Sequence, residues 1–157
     1  MKSRLQSWWA SLGVEPEPLS RHERRVVWIL ALVVAVTRPL AIAKSLWDWD
    51  EALFGLALRD YDVVAHHPHP PGFPLFILAA KGLALASGAT EFRALQGVAV
   101  LASLLVFPAM FILARELRAT FFVSTASASL LAFLPNVWFF GGTALSDVPS
   151  MTLSLFA

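Results

Sequence analysis

The chain of 157 residues contains no cysteine. That excludes disulfides, cysteine-ligated zinc, iron–sulfur clusters and a thiol nucleophile. Charge is also scarce. Asp, Glu, Lys and Arg make up 15% of the residues, where ordinary soluble domains carry about 25%. The net charge is +1 and the pI near 8.3, so the dense basic footprint needed for nucleic acid is missing. A serine-nucleophile elbow, a glycine-rich phosphate loop and a dinucleotide fingerprint are absent as well. Nucleotide-sugar and ATP sites are therefore unsupported. No repeat and no low-complexity tract is visible. What the chain has in quantity is apolar surface. It is 57% hydrophobic, with 12 Phe and 6 Trp, and its mean hydropathy is +0.66. Such a chain does not stay disordered in water. It reads as a polytopic membrane protein.

The apolar residues come in blocks. Residues 1–25 are polar, with Pro16, Pro18, a Trp8–Trp9 pair and the basic cluster Arg21, Arg24 and Arg25. They read as a cytoplasmic tail rather than a signal peptide, because no small-residue cleavage site follows the apolar run. A first span begins at Val26 and carries Arg38 near its end, where the guanidinium snorkels to the headgroups and Pro39 marks an exit or kink. Residues 71–88 form a short apolar stretch containing Lys81. Residues 94–114 make a full-length span of the ~20 residues a bilayer needs. Residues 119–140 make another, ending in the aromatic belt Trp138, Phe139 and Phe140. A further span opens at Val148 and stops at Ala157, which suggests the N-terminal part of a larger protein. The fold expected is an all-α, multi-span helical bundle with outer juxtamembrane helices, occupying residues 26–157.

Charge sets the sidedness. Arg21, Arg24 and Arg25 precede the first span, and Arg115 and Arg118 follow residues 94–114. Both clusters should be cytoplasmic by the positive-inside rule. An even number of crossings must separate them. Residues 71–88 should therefore lie in or dip into the outer interface, with residues 45–70 and 141–149 outside; the alternative is a true span there, with Arg115 and Arg118 outside. The expected location is a plasma membrane, the bacterial inner membrane, in a multi-pass arrangement with a cytoplasmic N-terminus.

The outer segment concentrates the chemistry. Asp48, Asp50, Glu51, Asp60 and Asp62 are five of the 11 acidic residues. Trp49 to Arg59 reads as a short helix with Asp50 and Glu51 in its first turn, where the helix dipole favours anions. Trp49, Leu53 and Leu56 are expected to face lipid, flanked by Phe54 and Leu58. The Asp48-x-Asp50 spacing is one that can hold a divalent metal. His66, His67 and His69 sit among prolines that impose an extended backbone. Such histidines serve as interface polarity, or as donors to a phosphate. Lys81 and Arg38 are read as snorkelling anchors or as a cationic seat for a lipid phosphate. Asp147 caps the helix that starts there, or belongs to a site.

Read in order, these segments resemble the GT-C superfamily of membrane glycosyltransferases, in the branch of the protein-mannosyltransferase and aminoarabinose-transferase-like enzymes. Trp49-Asp50-Glu51-Ala52-Leu53-Phe54-Gly55 is similar to the Asp-Glu motif of that family's first outer loop. His69-Pro70-Pro71-Gly72-Phe73-Pro74-Leu75 is similar to its His-Pro-Pro segment. Phe92 to Gly97 with Leu113 to Leu117, and Leu134-Pro135 through Pro149, resemble its next span and the outward helix after it. Family members are several times longer. The resemblance implies transfer of a sugar from a polyprenyl-phosphate donor to an acceptor lipid, glycan or protein on the extracytoplasmic face. It implies Asp50 as general base with Glu51 orienting it or the acceptor. His69 and Lys81 would then hold the donor phosphate, and Asp147 would bind sugar or acceptor. No cofactor is implied, although a metal-dependent transfer through Asp48 and Asp50 stays open. The rival reading is a non-enzymatic polytopic protein, such as part of a transporter.

Overall fold

A capping box starts the first helix. In the computed structural model, which describes residues 18–157, the Ser20 hydroxyl accepts from the Glu23 N–H at 3.2 Å and the Glu23 carboxylate accepts from the Ser20 N–H at 2.8 Å. This reciprocal pair satisfies two exposed donors and sets helix α1 at Arg21–Thr37. The helix thus begins inside the arginine cluster, ahead of Val26. The Trp8–Trp9 pair and the rest of the tail to residue 17 lie outside the described residues. The Ser20 backbone N–H, then its hydroxyl, hold the Glu23 carboxyl below the ordinary carboxylate range, with smaller help from Arg115 and His22.

At Arg38–Pro39 the α-helix gives way to a 3₁₀ turn, Arg38–Ala41. Arg38 does not snorkel as expected. Its side chain is 1% exposed, and Nη2 donates to the Ala132 carbonyl at 2.8 Å. The reason lies in a distant helix end. Residues 119–140 do not form one span. Helix α5, Phe121–Phe133, stops before Pro135, and a separate six-residue helix α6, Pro135–Phe140, follows. Proline has no N–H to continue the ladder and pushes Leu134 into an extended conformation. The freed Ala132 carbonyl then takes a cation, which also complements the negative helix end.

The expected Trp49–Arg59 helix forms with those ends, as α2. Its exposure pattern differs from the expectation in one respect. Trp49 and Leu56 point outward, but Leu53 and Phe54 are buried with Ala57. Phe54 is the anchor, packed edge-on against Phe73 and Phe76 at 5.2 and 5.3 Å. Helix α3, Pro74–Ser87, has 14 residues and spans about 21 Å, short of a ~30 Å hydrocarbon core. Helix α4, Glu91–Glu116, has 26 residues and is the one helix among the described residues that is long and apolar enough to cross a membrane. Helix α7, Asp147–Phe156, closes the set.

Helix α4 is the axis on which the others pack. Near its start, Gln96 Nε2 donates to the Ala43 and Gly142 carbonyls, both at 2.8 Å. Near its end, Phe111 belongs to an apolar cluster with Val34, Phe107 and Ala128, against which Leu19 and Phe121 pack. Helix α1 is thereby antiparallel to α4. The start of α1 shares one end of the bundle with Arg115, and Ala43, Gln96 and Gly142 share the other. A second cluster, Phe54, Phe76, Ile77, Leu95 and Leu145, lies under that second end.

Gly142 is required there by close approach. The Ala43 N–H donates to its carbonyl at 2.9 Å, and a Cβ would run into the Ala41 carbonyl. Gly142→Ala should lower stability by about 1–3 kcal/mol, the usual range for overpacking. Gly55→Ala, whose Cβ meets open space within α2, should be neutral or stabilising by up to about 1 kcal/mol. Thermal unfolding of the two variants side by side checks the contrast.

Candidate functional site

The first turn of α2 builds two carboxylate environments one residue apart. Asp48 is the N-cap, and its Oδ1 accepts from the Asp50 N–H at 2.9 Å. Glu51 is fully buried, at 0% exposure. Its Oε2 accepts from the Trp47 and Asp48 N–H groups at 2.8 and 3.3 Å, and its Oε1 accepts from the Ala144 N–H at 2.7 Å. A buried carboxylate with three backbone donors is well satisfied. It joins the start of α2 to the loop before α7 across 93 positions of sequence. Gln96 makes a parallel tie, and Arg93 Nη1 donates to the Gln96 side-chain Oε1.

Asp50 sits on a different face of the helix and is half exposed. Its Oδ1 lies 3.5 Å from His69 Nδ1. That separation is longer than a formed hydrogen bond, which leaves the carboxylate lone pairs open to a ligand proton. The His69 ring is held between Phe54 and Phe73, at 5.6 and 5.2 Å between centroids. The spacing is simple: Phe54 is one helical turn beyond Asp50, so both line one stripe. The segment from 60 to 73 brings His69 back to that stripe. Asp62 and His67 exchange backbone hydrogen bonds at 2.8 and 2.7 Å, and the Tyr61 hydroxyl donates to the Gly72 carbonyl at 3.0 Å. Gly72 has φ +90, and a Cβ there would strike the Tyr61 hydroxyl.

The structure brings Asp50 and His69 together and sets the other expected residues apart. Glu51 lies behind Asp50, engaged with backbone. Lys81 lines a separate cleft of about 300 Å³ with Leu58, Leu85, Thr90 and Glu91. Asp147 is exposed at the first position of α7, preceded by Ser146 as N-cap without a side-chain bond. Ala144, three residues before it, is the point where its loop meets α2. No hydrogen bond or ion pair joins Asp147 to Asp50 among the described residues. No cluster of three metal-ligating side chains occurs among them either, and the Asp48 carboxylate is engaged as a helix cap.

The chain matches no protein-family model, no curated protein sequence and no solved structure. The chemistry must therefore be read from the geometry.

A second imidazole–carboxylate pair stands at the far end of α2, unforeseen in the sequence. His67 Nδ1 is 3.6 Å from Asp60 Oδ2. His66 and His67 line a groove of about 760 Å³ along the Trp49, Leu53 and Leu56 face. Arg59 and Glu91 form an ion pair at 2.7 Å on the same groove. The Glu91 carboxylate pushes the Arg59 guanidinium above its ordinary value. The run of Asp60 and Asp62 followed by His66, His67 and His69 was the available signal. It could not say which acid each imidazole meets.

Proposed function

We propose that this chain is the N-terminal part of a multi-span membrane glycosyltransferase domain that uses a polyprenyl-phosphate sugar. The reading rests on the Asp50–His69 pair, a half-exposed carboxylate beside an imidazole at the bundle end remote from the arginine clusters. In the reaction, an acceptor hydroxyl attacks the anomeric carbon while the bond from that carbon to the phosphate oxygen breaks. The hydroxyl proton passes to Asp50 as general base. The lipid phosphate leaves with the bonding electrons, and a hydrogen bond from His69 stabilises its charge. Glu51 fixes the turn that carries Asp50. Lys81 and Asp147, expected to bind donor and acceptor, lie apart from the pair, Lys81 in its own cleft and Asp147 at the start of α7.

Several observations favour a bilayer around the bundle. Trp28, Leu32, Val36, Leu78, Leu101, Leu105, Phe122, Leu130 and Leu153 are all exposed, on α1, α3, α4, α5 and α7. Scattered exposed leucines are ordinary, but so many on every long helix mark a lipid-facing surface. The short α3 suits the outer interface, and the shared basic end suits the cytoplasm. The buried Arg38 is the one observation that favours a transporter-like reading, since intramembrane cations mark transport paths. Its hydrogen bond to a helix end gives it a structural role here.

The test is sugar transfer from polyprenyl-phosphate donors by the full gene product, with Asp50→Asn in parallel. Sidedness is tested by single cysteines at positions 66 and 116 on this cysteine-free background. Membrane-impermeant reagents should label them from opposite sides. Labelling of both from one side would overturn the arrangement.

A further inference from the structure

Three arginines stand where helix electrostatics disfavours them. Arg21, Arg24 and Arg25 occupy the first two turns of α1, the positive end of its dipole. Glu23 is the single acid in the first turn. The Ser20–Glu23 box already closes the helix end, so what needs explaining is the row of side chains. Positions 21, 25, 28, 32 and 36 fall on one stripe at helical spacing. It runs through Arg21, Arg25, Trp28, Leu32 and Val36, all exposed, with Trp28 at 74%. The opposite face carries Val27, Leu30, Ala31 and Val34 into the core shared with α4 and α5.

The stripe changes chemistry along its length in one direction. Guanidiniums come first, then an indole, then aliphatic side chains. At 1.5 Å per residue, Val36 lies about 17–22 Å from the two arginines, and Trp28 about 4–10 Å from them. This is the depth profile of a phospholipid: headgroup, glycerol region, acyl chain. Trp prefers the middle level, and Arg near the membrane surface attracts anionic headgroups.

We propose that this face of α1 docks an anionic phospholipid. Its headgroup lies against Arg21 and Arg25, its glycerol level with Trp28, and one chain along Leu32 and Val36. The neutralised arginines then no longer oppose the dipole. The inference rests on the bilayer placement above, but not on the transferase reading.

The experiment uses a variant that keeps Trp28 as its only tryptophan, reconstituted in phosphatidylcholine vesicles. These contain chain-nitroxide phosphatidylglycerol or chain-nitroxide phosphatidylcholine as quencher. The phosphatidylglycerol quencher should act at up to about 30-fold lower mole fraction, the equivalent of ~1 kcal/mol for each of the two arginines near the surface. The preference should vanish in Arg21→Gln/Arg25→Gln and shrink in high salt. Equal quenching by both lipids would overturn the docking site and leave the bilayer placement intact. Absence of quenching by either would overturn the placement as well. Should the five tryptophan replacements prevent folding, Ile29→Cys carrying a fluorophore reports the same comparison with every tryptophan kept.

Discussion

Asp50→Asn is expected to lower sugar transfer by about 10²–10⁴-fold, the range for losing a general base. The amide keeps the size of the side chain and cannot take the acceptor proton. Asp50 is half exposed, and its carboxylate sits 3.5 Å from His69. Its removal breaks no buried network, so the unfolding temperature should stay within a degree or two. The loss should fall on kcat, because the donor phosphate is assigned to other groups. Asp60→Asn is the control. It disrupts an imidazole–carboxylate pair of nearly the same length, 3.6 Å, at the far end of α2, and should leave transfer unchanged. Equal transfer by Asp50→Asn and wild type would sink the base assignment. Equal losses in both variants would mean that the loop, and not the proton acceptor, was disturbed.

His69→Gln separates the second role. Glutamine keeps a donor of similar reach without an ionisable ring. If His69 stabilises the leaving phosphate, transfer falls at an unchanged unfolding temperature. If it only fills space between Phe54 and Phe73, transfer follows stability alone.

Local signals in the sequence were legible because they act within one or two turns. Asp48 and Glu51, three residues apart, define the start of α2, and the helix runs to Arg59 as read. Long-range features were not legible. Arg38 was read as a snorkelling anchor because an arginine near a span end ordinarily reaches water. Its real partner is a carbonyl 94 residues on, freed by Pro135. That proline was visible inside an apolar run, but apolar length outweighed it in the reading of 119–140. The histidines were recognised as a cluster. Prolines told of extended backbone, but not that His69 returns to Asp50 while His67 turns to Asp60. Lys81 was grouped with His69 as a ligand of the donor phosphate that the resemblance implies. Helix α3 carries it away toward Glu91, since each residue adds about 1.5 Å of rise.

Glu51 carries the second large expected effect, and it acts on stability before chemistry. Glu51→Ala leaves the Ala144 N–H buried without a partner, at a typical cost of about 1–3 kcal/mol. The Trp47 and Asp48 donors lie nearer the surface, where water can reach them, and add less. The volume vacated by the side chain adds a cavity term, giving a total of about 2–5 kcal/mol. Glu51→Gln keeps the volume and one oxygen for Ala144. It turns an NH₂ toward two donors, so an intermediate loss is expected. Thermal unfolding in detergent or vesicles should rank wild type above Gln above Ala. Transfer should fall in the same order and recover at temperatures where each variant is folded, because Glu51 is enclosed by backbone and Asp50 faces outward. A fully stable Glu51→Gln with abolished transfer would place Glu51 in direct contact with substrate. That outcome would require the Glu51–Ala144 bond to open during turnover, with the loop before α7 swinging away from α2 to admit the acceptor.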